Sequence, residues 1–92
     1  MSLTYGKLMF NQETERILIY LNNRLSNVTL QEIRLKPLNN GIVHVTGDIS
    51  DFKIGDRINI ASEKLIVSGR IIGRDEQNNI LFTSIEIAFI RG

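Results

Sequence analysis

Arg70 and Arg74 stand four residues apart in a run of strand character. On one face of an extended strand that spacing is roughly 13 Å, wide enough for the two guanidinium groups to bracket an anionic ligand, with Arg16 as a further cation for phosphate pairing. The competing reading is a solvated face on which Arg70 meets Glu86 diagonally across a hairpin, a pair worth about 0–1 kcal/mol. His44 is the single histidine and alternates with Val43 and Val45, which puts it on the outer side of its strand. One imidazole and no cysteine leave neither a zinc set nor a thiol nucleophile. No signature marks Ser50, Ser62, Ser68 or Ser84 as activated. Asp48, Asp51 and Asp56 lack the spacing and closing glutamate of a calcium loop and read as turn and capping residues. Gly55, Gly69 and Gly73 do not follow either phosphate-cradling order. The residue chemistry therefore points away from an enzyme, and towards no metal and no cofactor.

Ninety-two residues hold one core, so a single domain spanning residues 1–92 is expected. Hydrophobic residues at 42% suffice to fill that core without disulfides. A net charge of +1 argues against general nucleic-acid binding, which needs a dense positive field. The first residues lack the pattern of a signal peptide, and no apolar stretch reaches spanning length, so a cytoplasmic protein without membrane insertion is the default expectation.

The elements that must position these side chains are strands. Leu65–Arg74 and Ile80–Ile90 form one long hairpin closed by the polar loop Asp75–Asn79. With Arg74 set opposite Ile80, one face holds Leu65, Val67, Ile71, Leu81, Ile85, Ile87 and Phe89, the core side, along with Gly69 and Gly73, where missing side chains permit tight coiling or close backbone approach. The other face holds Ile66, Ile72, Ile80 and Phe82, rimmed by Arg70, Arg74 and Glu86. A half-apolar outer face with charges at its margin has the make-up of a protein interface. Ile66, Ile72, Phe82 and Arg70 are accordingly the candidate partner-binding residues, unless the N-terminal Leu3, Leu8, Met9 and Phe10 fold across the stripe.

Upstream, Gln12–Leu25 carries two competing periodicities, a short helix capped by Asn11 and a strand at Arg16–Leu21; the β-branched and aromatic Ile17, Ile19 and Tyr20 favour the strand. Val28 and Leu30 alternate, and the pattern then shifts to Ile33 and Leu35, as a β-bulge requires. Asn39-Asn40-Gly41 supplies residues tolerant of positive φ before a strand Gly41–Thr46. Phe52, Ile54, Ile58 and Ile60 are the apolar positions of the next segment, where Gly55-Asp56 turns the chain into a strand. Short strands at close spacing favour a small six-stranded antiparallel barrel, mainly β, with at most one short helix near the N-terminus.

The second half of the chain, through Phe52-Lys53-Ile54-Gly55-Asp56-Arg57-Ile58-Asn59-Ile60, Val67-Ser68-Gly69-Arg70-Ile71-Ile72 and Ile85-Glu86-Ile87-Ala88-Phe89, resembles the PilZ domain, a small six-stranded barrel that binds cyclic di-GMP. The ligand signature of that family departs here. Of the R-x-x-x-R ahead of the first strand only Arg16 is present, and Glu32-Ile33-Arg34-Leu35-Lys36-Pro37 does not match the D/N-x-S-x-x-G element. Arg70 to Arg74 and Asp48-Ile49-Ser50 satisfy fragments of the two, in the wrong chain order. The resemblance thus implies a degenerate member acting through protein contacts. The expectation is a non-enzymatic binding or adaptor module, with a cyclic di-GMP or other anionic-ligand sensor and a structural subunit of a larger assembly, such as a phage tail or secretion apparatus, as alternatives.

Overall fold

The structure, a computed structural model, describes residues 6–9 and 17–90. These form eight strands: β1 Gly6–Met9, β2 Leu18–Leu21, β3 Arg24–Leu25, β4 Thr29–Lys36, β5 Asn40–Thr46, β6 Arg57–Ala61, β7 Leu65–Asp75 and β8 Ile80–Ile90. All pair antiparallel in one sheet ordered β1-β4-β5-β8-β7-β6-β2-β3. The expected six strands are thus eight, and no helix occurs among the described residues. The sheet is not closed into a barrel: β2 comes close to β4, but no ladder joins them. β4 cannot be shared along its whole length, because its Glu32–Leu35 portion pairs with β1.

Alternation of apolar and polar residues builds each strand. Ile58 and Ile60 of β6, Val43 and Val45 of β5, and Leu65, Val67 and Ile71 of β7 are buried together on the concave side. The β4 bulge expected between Leu30 and Ile33 is present: Leu30 pairs with Val45 and Glu32 with His44, leaving Gln31 over. From Leu18 the ambiguous N-terminal segment is strand, and Asn22 and Asn23, both at positive φ, make the tight turn into β3. Arg16 and the residues from Gln12 to it lie outside the described residues, as do Leu3 and Phe10. Leu8 and Met9 belong to β1, whose partner is β4, so this part of the N-terminus adds an edge strand and does not cross β7 and β8.

β5, β6, β7 and β8 form a Greek key, in which the long connection Gly47–Asp56 carries the chain from β5 past two strands to β6. Ile49 and Phe52 of this connection are buried in the core, so it plugs the end of the curled sheet. Ile54, expected as a further apolar anchor, is exposed, because Gly55 at φ +96 turns the backbone away at that point.

The β7–β8 hairpin departs from a single register in two places. Ile72 is an extra residue on β7 between the Ile71–Thr83 and Gly73–Phe82 pairs, and Glu86 is an extra residue on β8 between the Gly69–Ile85 and Ser68–Ile87 pairs. Arg74 consequently faces Leu81, not Ile80, and the loop shortens to Glu76–Asn79. Leu65, Val67, Ile71, Leu81 and Ile85 are buried as expected. Ile87 and Phe89 are not: the Glu86 bulge inverts the faces beyond it, turning both outward and bringing Ala88 against the core. Thr83 takes an inner position that its polarity concealed, and its hydroxyl donates to the Gly41 carbonyl at 3.0 Å. Gly69 lies where two backbones touch, since a Cβ there would overlap the Ser84 carbonyl. Gly73 is not on the core side; a Cβ there would meet the Phe82 ring.

Candidate interaction face

The outer side of β7 and β8 collects the exposed apolar residues of the hairpin. Ile66 (48% exposed), Ile72 (52%), Phe82 (38%), Ile87 (61%) and Phe89 (52%) all lie there. They divide into two patches along the hairpin. At the loop end, Phe82 is flanked by its β5 partner Ile42 and by Ile72. These three, with Lys36, line a depression of about 490 Å³. At the far end, Ile66 pairs directly with Phe89, and Ile87 sits opposite Ser68.

Between the patches runs a polar band. Arg57, Arg70 and Ser84 lie side by side on β6, β7 and β8. The Arg57 guanidinium reaches Glu86 at 3.6 Å, displacing the diagonal Arg70–Glu86 pairing expected from a bulge-free register. Both members of this pair are substantially exposed. Arg70 instead donates to the Gly55 carbonyl at 3.1 Å and remains exposed.

Arg74, expected on the outer rim, is turned to the inner side instead, because the Ile72 bulge pairs it with the buried Leu81. Its Nη1 donates to the carbonyls of Ile49, Ser50 and Phe52 at 3.2, 3.1 and 2.8 Å, while Nη2 pairs with Glu76. The guanidinium therefore pins the plug formed by residues 49–52 to the hairpin, and its fork geometry suits a row of carbonyls better than an ammonium would. Arg70 and Arg74 each face a different portion of the β5–β6 connection and do not converge on a common space. Arg16, the third cation of the ligand reading, is outside the described residues.

The remaining chemistry-bearing residues are dispersed. His44 is exposed, with Glu32 and Ile80 as its register partners. Among the described residues no three histidine or carboxylate side chains gather as a metal set. Asp48 and Asp75 cap turns, and both carboxyls are held below their ordinary range: Asp48 by the backbone N–H and side chain of Ser50, Asp75 by the side chain and backbone N–H of Asn78. Asp56 caps its own turn by accepting from the Lys53 N–H. A second, polar depression of about 650 Å³ lies between the β2–β3 turn and the plug, lined by Arg24, Asp48, Asp51 and Phe52 among others. No helix among the described residues is long and apolar enough to cross a membrane.

The sequence singled out Ile66, Ile72, Phe82 and Arg70, and the structure places all four on one exposed face. It missed Ile87 and Phe89, whose outward turn depends on the Glu86 bulge. No protein-family model matches the chain, and no solved structure matches it. The chain is similar to an uncharacterised protein of Methanocaldococcus jannaschii, with 39% identity over 46 residues, which are 47% of this chain and 16% of that protein. The similarity thus spans a small part of the relative's length.

Proposed function

We propose that the protein is a non-enzymatic binding module that docks on a protein through the outer face of β7 and β8. The observation that carries this reading is the set of five large apolar side chains, Ile66, Ile72, Phe82, Ile87 and Phe89, left exposed on one face of a single hairpin, whereas the other exposed large apolar residues, Leu25, Leu38 and Ile54, are scattered singly. They form two apolar patches separated and rimmed by polar side chains, the usual make-up of a protein interface. Phe82 and Ile72 are the anchors, seated by the shallow depression against Ile42. Arg70 and the Arg57–Glu86 pair supply a polar margin.

The test is affinity capture with wild type, Phe82→Asp and Ile66→Asp, each checked for its fold by circular dichroism. Docking through this face requires that a partner bound by the wild type be lost from both folded variants. Retention by both would remove the reading. If Phe82→Asp unfolds the domain, Ile66→Asp decides.

A further inference from the structure

Resting on that reading, we infer that the occupant of this face is a second copy of the same chain, paired about a twofold axis lying between β7 and β8 and parallel to them. The order of residues along the hairpin is self-complementary under that operation. It exchanges β7 with β8 between the copies while keeping each level along the strands, so Ile72 of one copy comes over Phe82 of the other, and Ile66 over Phe89. Apolar meets apolar at both ends. In the middle, the same operation sets Arg70 over the partner copy's Ser84, with Glu86 a bulged step further along β8, so that Glu86, reached at 3.6 Å by Arg57 of its own chain, is flanked by a second cation from the other copy. A twofold axis perpendicular to the strands would lay the Phe82 end over the Phe89 end but place Arg70 and Glu86 on their own counterparts, like charge near like.

The contact would take in both apolar patches and the intervening band of Arg57, Asn59, Ser68, Arg70, Ser84 and Glu86, and a stable complex needs roughly 800 Å² per partner. An isologous contact of this kind closes on itself and stops at two copies, whereas a heterologous use of the same stripe would continue into a fibre.

The experiment is light scattering and sedimentation equilibrium on the full chain across a concentration series. Wild type is expected to pass from monomer to dimer, with no larger species. Arg70→Glu and Glu86→Arg should each weaken the dimer about tenfold, and the double variant should recover most of that loss, because the pair is restored across the axis. Phe89→Asp should abolish dimerisation in a domain whose circular dichroism is unchanged. A chain that stays monomeric to high micromolar concentration overturns the self-pairing. So does a dimer indifferent to all of these substitutions, or a double reversal with no recovery. Loss of a different captured protein from Phe82→Asp, in a strictly monomeric chain, overturns the self-pairing while leaving the docking face in place.

Discussion

Replacing Arg74 by Ala tests whether this arginine holds the fold or stands ready for a ligand. Its Nη1 has two N–H bonds and approaches three carbonyls at 3.2, 3.1 and 2.8 Å, so at most two well-directed hydrogen bonds form at once. A hydrogen bond to a charged group contributes about 1.5–3 kcal/mol. The Arg74 side chain keeps 27% of its surface in water, and the pair with Glu76 is at the surface, so the lower part of that range applies and the salt bridge adds little. The sum is about 2–3 kcal/mol, or a melting temperature lower by about 10–20 °C for a domain of this size. Arg74→Lys should recover less than half, since a single ammonium cannot reproduce the planar fork. Thermal and urea unfolding followed by circular dichroism give the stability. Hydrogen exchange at Phe52 and Gly55 should quicken first, because their amides donate to Ile49 and Ile71 within the plug and its anchor. Arg70→Ala, which removes one exposed contact to Gly55, serves as the control and should cost less than about 1 kcal/mol. An Arg74→Ala protein within about 0.5 kcal/mol of wild type would refute the pinning and return the side chain to the pool of free cations.

Three further outcomes follow from named positions. Gly69→Ala should destabilise by more than about 3 kcal/mol or abolish soluble expression, because its Cβ would overlap the Ser84 carbonyl of the neighbouring backbone, whereas Gly73→Ala, whose Cβ would rest on the Phe82 ring at 3.4 Å, should stay within about 1 kcal/mol of wild type; equal unfolding midpoints for the two would contradict the close approach at Gly69. Leu38 sits at φ 65 on the β4–β5 turn and is 88% exposed, so Leu38→Asn relieves a left-handed strain without losing packing and should raise stability by about 0.5–1 kcal/mol; a lower melting temperature would mean that the leucine packs on something. The depressed carboxyls of Asp48 and Asp75 stabilise the fold above the ordinary carboxylate value of 3.8 and lose that contribution as the pH falls through their lowered folded values; the double variant Asp48→Asn, Asp75→Asn should therefore show a shallower loss of melting temperature between pH 5 and pH 2 than wild type, and an identical slope would show that neither cap titrates with folding.

Two bulges in the same molecule differ in how legible they are, and the difference is physical. In β4 the apolar Leu30 and Ile33 are three apart with Gln31 and Glu32 between them, so no single alternation buries both, and the sequence itself demands the extra residue that the structure shows at Gln31. In β8, Ile85-Glu86-Ile87-Ala88-Phe89 satisfies unbroken alternation, with Ile85, Ile87 and Phe89 on one side, and satisfies the bulged form equally, with Ile85 and then Ala88 inward. Periodicity is degenerate wherever both faces offer an apolar residue. The bulge sits beside Gly69: without a side chain this residue leaves room for the Ser84–Ile85 backbone to press onto β7, and the register of Gly69 with Ile85 gives way next to it to that of Ser68 with Ile87. The role of Arg74 was illegible for another reason, because its partners are backbone carbonyls 22 to 25 residues away, and a carbonyl carries no sequence signature. The outer stripe is thus partly written in the sequence, through Ile66, Ile72 and Phe82, and partly made by packing, through Ile87 and Phe89. The bulge at Glu86, beside the close backbone approach at Gly69, turns two large apolar residues to the outer side, so the shape of the proposed contact face follows from the register of the hairpin.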